Sequence, residues 1–213
     1  MNVFYLHGFA SSARSKKAVY LGERFASHGI ALRCPDLNEP EFFSLTLTRM
    51  LDRLARDIAT LDREPVVLIG SSFGAVVAIH AAARLADRIG RLVLLAPAVM
   101  FPKDADKVLG ADRVAEWRRS GTLDVFHHGD GVMRPLNYAF YEDGLRYDAT
   151  TAEVGQPVRV FQGVRDEAVD HRVVERWAAL RPNVQLTLLE DDHQLLASLP
   201  TIWSEMTVFL DVT

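Results

Sequence analysis

The sequence predicts an α/β protein with a doubly wound, mostly parallel sheet covered by helices on both faces. Three observations point there. Short apolar runs recur along the chain and are apolar on both faces, as strands of a fully covered parallel sheet are. Longer stretches with helical periodicity lie between them, and right-handed crossovers then wind the chain around both sides of the sheet. Polar residues gather just after the apolar runs, where an open α/β sheet carries its site.

Val3 to Leu6 is the first β-rich run and ends in His7-Gly8. From about Ser15 to His28, Ala18, Leu21, Gly22 and Phe25 share one helical face, and Gly29 suits the position just past the helix end. Ile30 to Cys34 reads as a second strand stopped by Pro35. Leu47, Met50, Leu51, Leu54, Ile58 and Leu61 recur at three- and four-residue steps, an amphipathic helix. Val66 to Ile69 is a buried-type third strand, and an Ala-rich helix follows over 73–86. Leu92 to Leu95 is the fourth strand and Val158 to Phe161 the fifth. A helix over 171–181 turns Val173, Val174 and Trp177 inward, with Pro182 past its end. Val184 to Leu189 is the sixth strand, and the last helix carries Ile202, Trp203, Met206, Phe209 and Leu210 on its apolar face.

The alternation breaks between the fourth and fifth strands. Residues 100–156 are too many for a structureless loop in a compact domain. They contain helix-like pieces, Asp112 to Ser120 and Tyr138 to Tyr147, around a patch rich in Gly, His and Asp. The segment reads as an inserted cap or lid on a single domain spanning 1–213.

Composition narrows the function classes. The chain has 213 residues, 49% hydrophobic and 24% charged, with a formal net charge of -4, so it lacks the basic stripe of a nucleic-acid binder. Cys34 is the only cysteine, which removes an intrachain disulfide and the main sign of an oxidising compartment. The start, MNVFYLHG, lacks the basic region of a signal peptide, and the longest apolar run falls far short of the ~20 residues of a membrane span. A soluble, cytoplasmic protein without nucleic-acid or membrane partners is the expectation. Oligomeric state leaves no trace in the sequence.

Two serines lie side by side in Gly70-Ser71-Ser72-Phe73-Gly74, between the third strand and the helix that follows. A nucleophile on such a sharp turn holds a strained backbone, and its neighbours two residues away on each side crowd together. Centred on Ser72, those neighbours are Gly70 and Gly74; centred on Ser71, they are the bulky Ile69 and Phe73. The G-x-S-x-G frame therefore selects Ser72.

A serine needs a base, and the base needs an orienting group. After the first strand, Tyr5 to Ser12 (YLHGFASS) makes a glycine turn that suits an oxyanion donor, so the backbone N–H groups of Phe9 and Phe73 are the expected pair. His7, at the start of that turn, fits a structural role better than that of base. After the fifth strand, Phe161 to Asp170 (FQGVRDEAVD) offers Asp166, on a turn opened by Gly163, as the orienting carboxylate. Asp170 is its main rival but also suits the N-cap of the next helix. After the sixth strand, Leu188 to Leu195 (LLEDDHQL) offers His193 as the base. Asp191 and Asp192 are too close in sequence to orient His193 and read as surface charges or as shapers of the loop.

With Ser72, Asp166 and His193 in that chain order, and with the segments YLHGFASS, GSSFG and QGVRDEAVD, the chain resembles the α/β-hydrolase superfamily, in particular its small intracellular single-domain serine esterases. The likeness covers nearly the whole chain and is weakest in the cap. It implies an α/β-hydrolase fold reduced to six strands, because the chain begins at the strand that leads into His7-Gly8. It also implies hydrolysis of small carboxylic esters or thioesters without a cofactor. Serine at the elbow argues against relatives that use aspartate on epoxides or carbon–halogen bonds, and against the cysteine-bearing dienelactone type.

Other features have plainer uses. His127 and His128 are adjacent and point apart, no further ligand set has convincing spacing, and a flexible cap loop is the expected setting rather than a metal site. Arg118 and Arg119 read as a solvated helix face. Trp117, Phe126, Met133, Tyr138, Phe140 and Tyr141 either line an acyl pocket or form the cap's own small core; the sequence does not separate the two. Neither a dinucleotide-binding glycine motif nor a P-loop is present. A peptidase or amidase using the same three residues, and a non-catalytic binding protein on the same fold, are the competing functions.

Overall fold

The computed structural model describes residues 1–212. Six parallel strands form the main sheet: β1 (Asn2–Leu6), β2 (Leu32–Arg33), β3 (Val66–Ser71), β4 (Ile89–Leu95), β7 (Val158–Gly163) and β8 (Val184–Leu189). Their spatial order is β2-β1-β3-β4-β7-β8. The winding reverses direction between β1 and β3, so a crevice forms beyond their carboxyl ends.

The pleat sends alternate residues to opposite sides, and both sides are apolar. Val3, Tyr5, Val67, Ile69, Val93 and Leu95 pack with Leu21 and Phe25 of α1 (Lys16–Ala26) and with Ile202 and Met206 of α8 (Leu199–Leu210). Phe4, Leu6, Val66, Leu68, Leu92 and Leu94 pack on the other side. Their partners there are α2 (Leu47–Ala59), α3 (Phe73–Arg84) and α7 (His171–Ala179). This double burial is what the unbroken apolar runs encode.

Local signals set the helix ends. Ser15 accepts a hydrogen bond from the Ala18 N–H at the start of α1, and Thr46 accepts one from the Arg49 N–H at the start of α2. Asp170 does the same for α7, accepting from the Arg172 N–H at 2.9 Å. Leu47, Met50, Leu51, Leu54 and Ile58 are the buried stripe of α2, matching its periodicity. Among the described residues, no helix is long and apolar enough to cross a membrane.

Between β4 and β7 the chain forms α4 (Ala105–Leu109), α5 (Ala111–Ser120), β5 (Thr122–His127), β6 (Val132–Asn137) and α6 (Ala139–Gly144). The last two strands make an antiparallel hairpin. It replaces the flexible loop expected around His127 and His128. His127 is the last residue of β5 and is only 3% exposed, while the turn proper holds Asp130 and Gly131, with Gly131 at φ 71°. Pro135 sits inside β6, which a two-stranded ribbon tolerates because each strand has a free edge. Ser11 and Ser12 pack against Gly129, so the turn rests on the loop that follows β1.

Of the six cap residues expected to line a pocket or build a core, Trp117 and Phe140 are buried. Trp117 donates its indole N–H to the Leu136 carbonyl at 3.1 Å. Phe126 and Met133, which face each other across the hairpin, are exposed and belong to neither use.

Candidate active site

Ser72 occupies the turn between β3 and α3 with φ 54° and ψ -113°. That is a left-handed backbone, rare for a residue with a side chain, and it is held from both sides. The Ser72 N–H donates to the Leu95 carbonyl at 2.8 Å, and its own carbonyl accepts from Ala75 and Ala98 at 3.0 and 3.3 Å. Ser71 ends the strand and is 3% exposed, leaving Ser72 as the hydroxyl at the edge.

Gly74 explains how the turn lies so close to β1. A Cβ there would sit 2.0 Å from the Leu6 carbonyl oxygen and 2.6 Å from that of His7. The same close approach brings Gly8 against Ser72, whose Cβ lies 3.5 Å from where a Gly8 Cβ would be. His7 is buried and fastens this region. Its Nε2 accepts from the Leu37 N–H at 2.9 Å, and its Nδ1–H donates to the Gly8 carbonyl at 2.9 Å. The ring thereby ties the turn after β1 to the segment that follows β2.

The turn after β1 and the start of α3 each supply one backbone donor. Among the described residues, neither the Phe9 N–H nor the Phe73 N–H has an acceptor in the protein. The Phe73 N–H also lies at the first turn of α3, where the helix dipole favours negative charge.

His193 arrives on the loop after β8. Its Nδ1 lies 2.8 Å from Asp166 Oδ2 and its Nε2 lies 3.1 Å from Ser72 Oγ. The tautomer that satisfies both has Nδ1–H donating to the carboxylate and the serine hydroxyl donating to Nε2. The structure thus joins three residues that are far apart along the chain.

Asp166 is anchored more firmly than a surface carboxylate. Its Oδ1 accepts from the Ala168 and Val169 N–H groups at 2.9 and 2.8 Å, and its Oδ2 accepts from Gln162 Nε2 at 2.9 Å as well as from His193. Burial alone would push its pKa up. The hydrogen bonds from His193, Val169 and Gln162, with the charge of His193, outweigh that and hold the pKa below the usual carboxylate value. Asp170 is drawn away to cap α7.

The His193 loop reaches Asp166 because Gly163 lacks a side chain: a Cβ there would meet the Asp191 carbonyl oxygen at 2.4 Å. Asp191 is not the surface charge that sequence suggested as one of its two uses. It is buried, and its carboxylate accepts from the Asp192 N–H and the Ser198 N–H, both at 2.8 Å, so it folds the loop back on itself. Asp192 accepts from the Gln194 N–H at 2.8 Å.

Lys17, which sequence reading missed, completes this support. It is 7% exposed and its ammonium donates to the Gln194 carbonyl at 2.9 Å. Burial lowers its pKa to about 8, against the opposing pull of Asp192, Asp166 and Asp191. Only its place in the first turn of a helix otherwise buried by apolar residues could have hinted at a role, because its partners lie at the far end of the chain.

The side chains of the two donor residues belong to an aromatic cluster. The Phe9 ring stacks on Phe140 with centroids 5.1 Å apart, and Phe73 packs on Phe140 at 5.3 Å and on Phe101 at 4.8 Å. Among the described residues, no three His, Cys, Asp or Glu side chains gather as a metal site would require.

Comparison with known proteins agrees with the architecture. Monoacylglycerol lipase abhd6-B of Xenopus laevis is 27% identical over 228 aligned positions, which take in 100% of this chain and 63% of that protein. The chain thus spans less than two thirds of the length of that relative. Among solved structures, alpha/beta hydrolase domain-containing protein 10 from mouse superposes with a TM-score of 0.81 at 21% identity, covering 99% of this chain and 89% of that one. Est1E from Butyrivibrio proteoclasticus, solved with ferulic acid bound, gives a TM-score of 0.80 at 22% identity over 96% and 87% of the two chains. At such identities the likeness speaks for the fold, which is that of the α/β-hydrolases. Residues 2–209 match the family described as Uncharacterised protein family (UPF0227), and the chain belongs to that family.

Proposed function

We propose that the protein is a serine hydrolase that cleaves small carboxylic esters or thioesters through an acyl-enzyme. The observation that carries this reading is the unbroken line Ser72 Oγ, His193, Asp166, with contacts of 3.1 and 2.8 Å. The named activity of the monoacylglycerol lipase relative, an ester hydrolase, lends support.

In this reading Ser72 Oγ attacks the acyl carbon while His193 Nε2 takes its proton. Asp166, ionised well below neutral pH, keeps the imidazole in the tautomer that can accept that proton and stabilises the imidazolium. The Phe9 and Phe73 N–H groups receive the developing oxyanion; being fixed in place beforehand, they cost no reorganisation. His193 then hands its proton to the leaving group. Water, activated by the same imidazole, releases the acyl group and restores the serine. Every proton in the cycle passes through one atom, His193 Nε2.

A fluorophosphonate probe tests the reading directly. Labelling should fall on Ser72 and should vanish in Ser72→Ala and in His193→Ala. Turnover of p-nitrophenyl butyrate should drop by about 10⁴- to 10⁶-fold in either variant, because the residues act as a unit. A Ser72→Ala protein that keeps near-normal esterase turnover would overturn the assignment.

A further inference from the structure

We propose that Phe140, reaching in from the inserted segment, is a specificity-determining residue that limits the site to short acyl groups. The inference rests on the serine-hydrolase reading above and names the substrate class for that same site.

The two backbone donors fix where the carbonyl oxygen of an acyl group sits. In the proposed geometry, with the carbonyl carbon at Ser72 Oγ, the chain of the acyl group would run past the rings of Phe9 and Phe73. Their side chains do not line an open trough. Phe140 packs on the partly exposed Phe9 at 5.1 Å and on the buried Phe73 at 5.3 Å, and Phe101 packs on both Phe73 and Phe140 at 4.8 and 5.3 Å. Phe73 is 3% exposed and Phe140 4%. Rings packed this closely leave no room for a chain of several methylenes unless one of them moves.

Phe140 is the ring on which that room depends. Phe9 and Phe73 sit on the backbone turns that hold the donors, so replacing either would alter the donors along with the room. Phe140 belongs to α6, and α6 is fastened down. The Thr48 N–H and hydroxyl donate to the Asp143 carboxylate at 2.8 and 2.6 Å, and the Tyr147 hydroxyl donates to Thr48 Oγ1 at 2.6 Å. Gly144 of the same helix lies against the Phe101 ring, whose Cε1 is 2.8 Å from where a Cβ would sit. The barrier is therefore clamped to α2 and wedged against Phe101. Surface hollows of about 450 Å³ beside Val184 and Leu186, and about 240 Å³ beside Cys34, include neither Ser72 nor Phe140.

The test compares kcat/KM for p-nitrophenyl acetate, butyrate, hexanoate and octanoate in the wild-type protein, Phe140→Ala and Phe140→Leu, with thermal melts to establish folding. The wild type should lose at least about tenfold between butyrate and octanoate, the scale on which pockets discriminate chain length. Phe140→Ala should raise the octanoate-to-butyrate ratio by about tenfold or more, and Phe140→Leu should raise it less. If Phe140→Ala does not fold, Phe140→Leu carries the comparison. A wild type that cleaves octanoate as well as butyrate overturns the proposal, as do folded variants with the wild-type ratio. If the wild type cleaves no ester of any length and the fluorophosphonate leaves Ser72 unlabelled, the hydrolase reading itself fails and takes this proposal with it. Altered chain-length ratios with intact Ser72 labelling separate the two cases.

Discussion

Backbone strain in this protein is concentrated where the chemistry is proposed. Among the described residues, five other than glycine have positive φ, and four of them, Ala10, Ser72, Ala96 and Leu195, follow β1, β3, β4 and β8 at the carboxyl edge of the sheet. Such conformations persist only where the surroundings over-determine them, and around Ser72 those surroundings are the bonds to Leu95, Ala75 and Ala98. The two aspartates after β7 show how neighbours in one loop divide the work. Asp166 spends both oxygens on His193, Gln162 and two backbone N–H groups, whereas Asp170 caps α7. Asp166→Asn should therefore leave the protein folded but lower kcat by about 10⁴-fold, since an amide at that position favours the wrong imidazole tautomer. Asp170→Asn, which retains a capping oxygen, should leave both kcat and melting temperature close to wild type. Steady-state kinetics and thermal melts on the pair check this, and equal losses of activity would contradict the division of roles.

At the scale of elements, the contact between the elbow and β1 is made by absence of a side chain. Gly74 lies in the first turn of α3 with carbonyl oxygens of Leu6 and His7 pressed against it, and both are backbone atoms that cannot swing aside. Gly74→Ala should cost about 1–3 kcal/mol or more and push α3 away from the loop that carries Phe9. Gly22, inside α1 with nothing within 4 Å of a Cβ, should behave oppositely: Gly22→Ala should stabilise by up to about 1 kcal/mol. Urea unfolding of the two variants distinguishes a close approach from a merely flexible position. The same contrast explains which elements were legible in the sequence. The central strands β1, β3, β4 and β7 were, because burial on both faces writes a nearly unbroken apolar run, while the edge strands β2, only Leu32–Arg33 of the expected 30–34, and β8 are partly exposed and carry a weaker or alternating pattern. The hairpin of β5 and β6 was not, because both strands are half polar and Pro135 interrupts the second; only Asp130-Gly131 in its turn signals it. Ser72, Asp166 and His193 stand out because each follows a strand at loop distance. Asp191 and Lys17 do not, because their roles depend on a loop that folds back and on a helix from the other end of the chain.

For the molecule as a whole, the sheet is the partition between two apolar layers, and the layer holding α3 encloses a titratable group that the proposed chemistry does not use. His80 points from α3 into that layer, 9% exposed, with its ring 5.1 Å from that of Tyr147 and no partner for Nε2 among the described residues. Burial drives its pKa down to about 4, with Asp148 pulling weakly the other way. The sign of the consequence follows from proton counting. Below about pH 6.5 the unfolded chain binds a proton at this imidazole that the native chain refuses until about pH 4, so the unfolded state holds more protons across that window. Stability therefore falls as the pH drops from about 6.5 to about 4 and loses nothing further from this group below that. The full shift corresponds to about 3 kcal/mol, a large part of the stability of an ordinary domain. His80→Leu removes the titration while keeping the site filled. Carboxylates other than Asp148, which feels the imidazole's charge, titrate alike in both proteins, so the difference in unfolding free energy between His80→Leu and wild type reports mainly the imidazole. That difference, measured by urea denaturation, should move by about 2–3 kcal/mol in favour of the variant between pH 7 and pH 4. A difference that stays constant over that range would mean that His80 takes up its proton in the native protein as readily as in water, and that the layer around α3 opens to solvent.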